Sequence, residues 1–281
     1  MMKSAICNVC YRHCVIKEGE YGFCKVRTTK DGKVVPENYG MITSMALDPI
    51  EKKPLNRFCP GSFILSVGSY GCNLRCPFCQ NYEISWGDEA DLVKKEATYV
   101  SPEELTQIAF EQRKNGNIGV AFTYNEPLIF YEYVLDTAKL LKNNDLKTVL
   151  VTNGMADAFA MKELFEYVDA MNIDLKGFTD SYYRDLLKGD RDMVMTFIKE
   201  AVKHCHVELT TLIIPGENDS EDEMDKLSSW ISELDPGIPL HISRFFPRFH
   251  MIDRDATSVE KIYRLKEVAS RHLKYVYTGN C

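Results

Sequence analysis

The sequence predicts an α/β protein: six strand–helix units wound into an incomplete barrel, preceded by a small cysteine-rich, metal-binding cap. Three observations predict it. From Ser62 onward, short aliphatic and β-branched runs alternate with stretches of helical period, six times over. Residues 1–57 break that rhythm with four cysteines, a tight turn signal and a connector rich in Pro and charge. The whole is 281 residues, 45% hydrophobic and 27% charged, enough for one principal domain and a small accessory piece. The division read from this is 1–57 for cap and connector and 58–281 for the barrel.

In the cap, Cys7, Cys10, Cys14 and Cys24 form a cluster, and Asp31-Gly32 between "VRTT" and "KVV" predicts a hairpin. "DPIEKKPLNRFCPG" then reads as a loop. The first barrel strand is "FILSVGS" (63–69), apolar throughout. "SPEELTQIAFEQRKNG" (101–116) predicts a helix, with Ser101 as N-cap, Pro102 at the first position and Glu104 closing a capping box. "IGVAFT" (118–123), "LIFYEYVLDTAKLLKN" (128–143) and "KTVLVTN" (147–153) continue as strand, helix, strand. A helix near 157–167 precedes the strand "DAMNIDL" (169–175), and a helix near 191–204 precedes "VELTTLII" (207–214). Ser220 and Glu223 cap a helix to about 233; "PLHISRFF" (239–246) and a helix near 258–272 end the series. Uninterrupted apolar strands each followed by a helix imply a parallel sheet covered on one side, an incomplete (β/α)6 TIM-like barrel whose chemistry sits in the loops after the strands.

Composition narrows the function classes. A formal charge of −7 gives no broad basic surface for nucleic acid. The N-terminus lacks the apolar centre of a signal peptide, and no stretch approaches the ~18 apolar residues of a membrane span. A cytoplasmic protein is expected, in which ten cysteines point to metal or redox chemistry over disulfides. Cys59, Cys205 and Cys281 are scattered and carry no assigned role.

"GCNLRCPFCQN" (71–81) holds Cys72, Cys76 and Cys79 in the loop after the first barrel strand. Iron–sulfur clusters are held by thiolates, four for a cubane. Three leave one iron open, and an open position separates a catalytic metal site from a structural one. The competing reading is a zinc knuckle completed by Cys59, although an x3 spacing followed by x2 does not give paired C-x2-C units. The set Cys7-x2-Cys10-x3-Cys14-x9-Cys24 reads as a zinc site or a second, fully ligated cluster, with His13 as a spare ligand.

Seven further positions stand out. Glu126 ends a strand and precedes Pro127, where a carboxylate also suits a helix N-terminus. Asp174 and Lys176 share one face of a strand end, as a mutual pair or toward a polar ligand. His241 and Arg244 lie on the last strand with opposite facing by period two, and a cation there suits the carboxylate of a ligand or an anionic substrate. Phe249 and His250, in the next loop, are candidate substrate contacts.

The CxxxCxΦC pattern, with its aromatic at Phe78, resembles the radical S-adenosylmethionine (radical SAM) superfamily. The resemblance implies a [4Fe-4S] cluster whose unique iron is chelated by SAM and which, reduced, cleaves SAM to a 5′-deoxyadenosyl radical that abstracts hydrogen from a substrate. "TYNEP" (123–127) is similar to the superfamily's GGE motif, which assigns Asn125 and Glu126 to the SAM amino group. "TNG" (152–154) and "DLK" (174–176) resemble the third- and fourth-strand motifs of pyruvate formate-lyase activating enzymes. These matches make Thr152, Asn153, Asp174 and Lys176 cofactor contacts, with Phe78 near the adenine and Asn81 orienting the loop.

Over essentially the whole chain, "CxxCxxxC…GxxGxCxVR", "DPIEKKPL", "PGS", "GCNLxCxFCQN", "TYNEP" and "RFFP" are similar to the AmmeMemoRadiSam-system radical SAM enzymes. Two departures stand out. Val151 replaces the Asp that precedes "TNG" in activating enzymes and helps bind a monovalent cation there, so an identical cation site is not expected. The family often continues past "YVYTGN" with a cysteine-containing tail, so that tail's function is expected to be absent or altered. The resemblance further implies an electron donor such as flavodoxin or ferredoxin, and a protein substrate if the enzyme activates a glycyl-radical partner. The reading of another class is a non-enzymatic zinc-binding interaction protein.

Overall fold

The computed structural model describes residues 3–87 and 90–281. Eight strands form one sheet in unbroken chain order: β1 (Ser44–Pro49), β2 (Phe63–Gly68), β3 (Asn117–Phe122), β4 (Lys147–Thr152), β5 (Ala170–Asp174), β6 (His206–Ile213), β7 (Leu240–Arg244) and β8 (Val276–Gly279). A doubly wound sheet reverses its strand order at a switch point, and this one never does. It is therefore a partial barrel, wound one way, with β1 and β8 as its two edges.

The six expected strands are present and parallel. Two more were not expected. β1 comes from the stretch read as connector and pairs antiparallel with β2. It escapes a hydrophobic-pattern reading because "SMALDP" is only partly buried, its one buried residue being the charged Asp48, and it gains its place largely from backbone pairing with β2. β8 is the "VYTG" segment, parallel to β7.

The main helices are α1 (Pro102–Glu111), α2 (Tyr131–Asn143), α3 (Arg191–Ala201), α4 (Glu221–Leu234) and α5 (Val259–Ala269). α1 starts with the full Ser101/Glu104 capping box and gives way early to a 3-10 turn at 112–115, closed by left-handed Gly116. The helix expected near 157–167 shrinks to Lys162–Phe165. Asp157 accepts from the N–H groups of Phe159 and Ala160, a local turn that competes with helix. Leu105, Val134, Leu141, Val194, Phe197, Leu227 and Leu265 turn from the helices onto the sheet and are all but fully buried. At ~1.5–3 kcal/mol each, such side chains hold the helices to the sheet's convex side.

The cap adds two hairpins, Ser4–Ile6 with Val15–Lys17 and Arg27–Lys30 with Lys33–Pro36. The second turns through Asp31 and Gly32, both at positive φ, as the sequence predicts. Buried Arg27 fastens the cap to α2, donating to both carboxylate oxygens of Glu132 at 2.7 and 3.0 Å and to the carbonyl of Ile129.

Candidate functional site

The concave side of the sheet encloses a cavity of about 770 Å³, within the range of a small-molecule site. Cys72, Cys76 and Cys79 line it, together with Phe78, Asn125, Glu126, Thr152, Asn153, Asp174, Lys176 and His241. Positions expected from five separate strands therefore share one space. Arg244 does not. It ends β7 on the face opposite to His241, gives its Nε–H to the Thr257 carbonyl and covers the Phe246 ring, so its expected ligand contact is not made. Cys59 is exposed at positive φ and is not among the lining residues, so it does not complete the three-cysteine set.

The cysteine loop leaves β2 through Gly71 at φ +87°, where a Cβ would meet Val26 at 2.5 Å and the Cys24 carbonyl at 2.9 Å. Only glycine fits that approach. Asn125 shapes the same turn: its Oδ1 accepts from Ser69 N–H at 2.9 Å and its amide donates to the carbonyls of Tyr70 and Gly71. Its carboxamide is thus spent on the loop backbone. Asn73 and Asn153 pin the far side, joined at 3.0 Å, with Asn73 donating to the Met155 carbonyl and Asn153 accepting from Met155 N–H. Asn153 also points its amide at Cys72 Sγ, 3.7 Å away, and Asn81 holds the loop's end to the Tyr124 carbonyl.

All three thiols are free. Burial pushes each upward, Cys76 to about 12, with the Glu126 carboxylate next in effect on Cys72 and Lys176 opposing at Cys76. Among the described residues, no group of three His, Cys, Asp or Glu side chains is drawn together to hold a metal ion as the chain stands.

Glu126 is buried where β3 ends. Its Oε1 accepts from Thr152 Oγ1 at 2.6 Å and Leu128 N–H at 3.0 Å, and its Oε2 from Asn153 N–H at 2.8 Å. Burial outweighs these bonds, and its pKa rises to about 7. Asp174 and Lys176 pair with each other at 2.7 Å. Burial alone would lower the Lys176 pKa, but the Asp174 carboxylate beside it reverses that and holds the ammonium charged.

Several residues at the cavity have no role assigned from sequence. Lys53 is buried in "DPIEKKPL", paired to Asp48 at 2.9 Å and set under the Tyr124 ring, whose hydroxyl also reaches Asp48. The connector thereby closes the floor of the cavity. Glu208 fastens it there, accepting the N–H groups of Asn56 and Arg57 and the Nε2 atoms of His206 and His241 at 2.7–3.0 Å. The one available signal was a lone acid inside the apolar run "VELTTLII". Tyr277, stacked on His241, and Thr278, Gly279 and Asn280 complete the wall.

Of the N-terminal cysteines, Cys7, Cys10, Cys14 and Cys24 all line one small pocket with Asn73, directly behind the cysteine loop. Burial raises Cys24, and it raises Cys10 to about 11.

Comparison with known proteins gives this arrangement its context. A family model described as the radical SAM superfamily matches residues 66–227. An uncharacterised protein of Methanocaldococcus jannaschii is 39% identical over 277 residues, which is 98% of this chain and 80% of that protein. Pyruvate formate-lyase 1-activating enzyme of Escherichia coli is 27% identical over 173 residues, covering 58% of this chain and 66% of the enzyme. Among solved structures, Streptococcus suis SuiB bound to S-adenosylmethionine superposes with a TM-score of 0.60 at 15% identity, over 78% of this chain and 52% of that one. The chain thus spans about half of that structure, and the likeness concerns the fold. With the family model covering more than half its length, the chain belongs to the radical SAM superfamily, enzymes that work with a [4Fe-4S] cluster and S-adenosylmethionine.

Proposed function

We propose that Cys72, Cys76 and Cys79 hold the [4Fe-4S] cluster with one iron left for SAM, and that SAM lies in the 770 Å³ cavity beside them. The observation that carries this reading is the convergence of three free thiols and a buried carboxylate of raised pKa on one space. The donor set suits the group: three soft sulfur ligands, with no fourth cysteine among the described residues lining the cavity. When bound, the cluster supplies the electron that cleaves SAM to a 5′-deoxyadenosyl radical.

The chain's own residues bind and orient. Glu126, short of positive charge, receives the SAM ammonium, and Thr152 and Asn153 fix its carboxylate from behind. Asp174 and Lys176 offer one charge of each sign to the polar parts of the ligand, and Phe78 provides an apolar surface for the adenine. Asn125 acts through the loop it shapes, not by touching SAM. His241, held by Glu208, faces the lower part of the cavity, where a substrate group would lie. Cys7, Cys10, Cys14 and Cys24 form a second metal centre, zinc or an auxiliary cluster. A low-potential donor of the flavodoxin or ferredoxin kind supplies the electron.

A second reading, activation of a glycyl-radical enzyme, is favoured by the open seam between the edges β1 and β8. Thr278–Asn280 line the cavity at that seam, and an extended peptide can approach an unpaired edge there. The test common to both is spectroscopic. Reconstituted, reduced protein should give a [4Fe-4S]+ EPR signal that changes on adding SAM and is absent from the Cys72/Cys76/Cys79→Ala triple variant. A SAM-insensitive signal counts against the reading. Iron-to-zinc ratios in a Cys7→Ala/Cys10→Ala variant identify the cap's metal.

A further inference from the structure

The cysteine loop carries its own cation. Arg75 sits between Cys72 and Cys76 in sequence, and its Nη1 donates to the carbonyls of Cys72 at 2.8 Å and Leu74 at 2.7 Å. Its Nη2 donates to the carbonyl of Phe23, the residue before Cys24. Its guanidinium lies 3.9 Å over the Phe23 ring and 5.6 Å from that of Trp86, and its backbone N–H is held by Leu187. Arginine stays charged in proteins, and a part-buried charge costs several kcal/mol unless it is paired.

Among the described residues, no Asp or Glu forms an ion pair with Arg75. What surrounds it instead is carbonyl oxygens and two sets of cysteines, with Cys72 and Cys24 both close enough to act on it. The neighbouring cation, Arg12, is itself stacked 3.4 Å over Phe23 and adds no compensation. The charge is therefore balanced only when the loop carries an anionic centre. A fixed cation beside such a centre stabilises its more negative, reduced state, one of the levers by which proteins set cluster potentials.

We propose that Arg75 is a positioning residue for the redox centre of the Cys72–Cys79 loop: its fork fixes the loop against the Cys24 layer, and its charge raises the centre's reduction potential. The inference rests on the cluster reading above. Wild-type, Arg75→Lys and Arg75→Gln proteins, full length and anaerobically reconstituted, are titrated with reductant while the SAM-responsive EPR signal is followed.

At the wild-type midpoint, the reduced-to-oxidised ratio in Arg75→Gln should fall about tenfold, 59 mV for a one-electron couple. Arg75→Lys should stay within about threefold of wild type, with iron content equal in all three. Equal midpoints overturn the proposal, as does a Lys variant shifted as far as the Gln variant. Should Arg75→Gln fail to retain iron, Arg75→Met, which keeps an unbranched stem, is measured against the same criteria. Wild-type protein that takes up no iron overturns this proposal and the cluster reading together, whereas unmoved midpoints leave the cluster reading intact.

Discussion

Two buried glutamates face the interior of this barrel and have opposite characters. Glu208, in the middle of the sheet, is fully buried, yet its carboxyl is held down to about 2. Burial alone would push it up, but two imidazoles and two backbone N–H groups overcome that. Glu126, at the cysteine loop, is nearly as buried but accepts only three neutral donors, feels Asp174 nearby, and rises to about 7. One carboxylate is completed by the protein itself; the other forms no ion pair among the described residues. The first reads as structure, the second as a place prepared for a cation such as the SAM ammonium.

The largest expected effect breaks the completed side. Glu208→Ala strands four donors and frees the connector from the cavity floor, and should cost about 3–5 kcal/mol in a urea or thermal unfolding titration. The sign of the pH dependence follows from the lowered carboxyl: its contribution is full above its ordinary value of 4.5 and is lost as pH falls toward about 2. Destabilisation by the substitution should therefore shrink in acid.

The matching change on the other side, Glu126→Gln, should cost less stability than Glu208→Ala, and the cost should shrink as pH rises from 4.5 through about 7, because a carboxyl with a raised pKa contributes its stability below that range and loses it on ionising. Its effect should appear in calorimetric SAM binding, weakened by about 1.5–3 kcal/mol, the worth of a hydrogen bond to a charged group. A smaller effect sharpens the same contrast. Wild-type affinity for SAM should improve by about tenfold from pH 6 to pH 8 as Glu126 ionises, and stay flat in Glu126→Gln. Smallest of all, Arg244→Ala should leave SAM affinity within about twofold of wild type, since its guanidinium turns away from the cavity.

The same two glutamates mark what was legible in the sequence. Glu126 could be picked out because its neighbours in the chain, Asn125 and Pro127, form a recognisable motif at a strand end. Glu208 could not: Asn56 and Arg57 lie some 150 positions away, and only the closed barrel brings them together. The parallel strands were legible because burial on both faces demands continuous apolar runs. β1 was not, since backbone pairing and the Asp48 contacts with Lys53 and Tyr124 place it without an apolar run, and the 157–167 helix was overestimated because the Asp157 turn leaves no trace in apolar periodicity.

The central claim, that the three-cysteine loop beside Glu126 is a SAM-cleaving centre, has one direct measurement. Reconstituted wild-type protein and the Cys72/Cys76/Cys79→Ala variant are incubated anaerobically with a strong reductant and SAM, and 5′-deoxyadenosine is quantified by chromatography. Product is expected from the wild type and none from the variant. Equal product from the two proteins, or none from iron-loaded wild type, would contradict it.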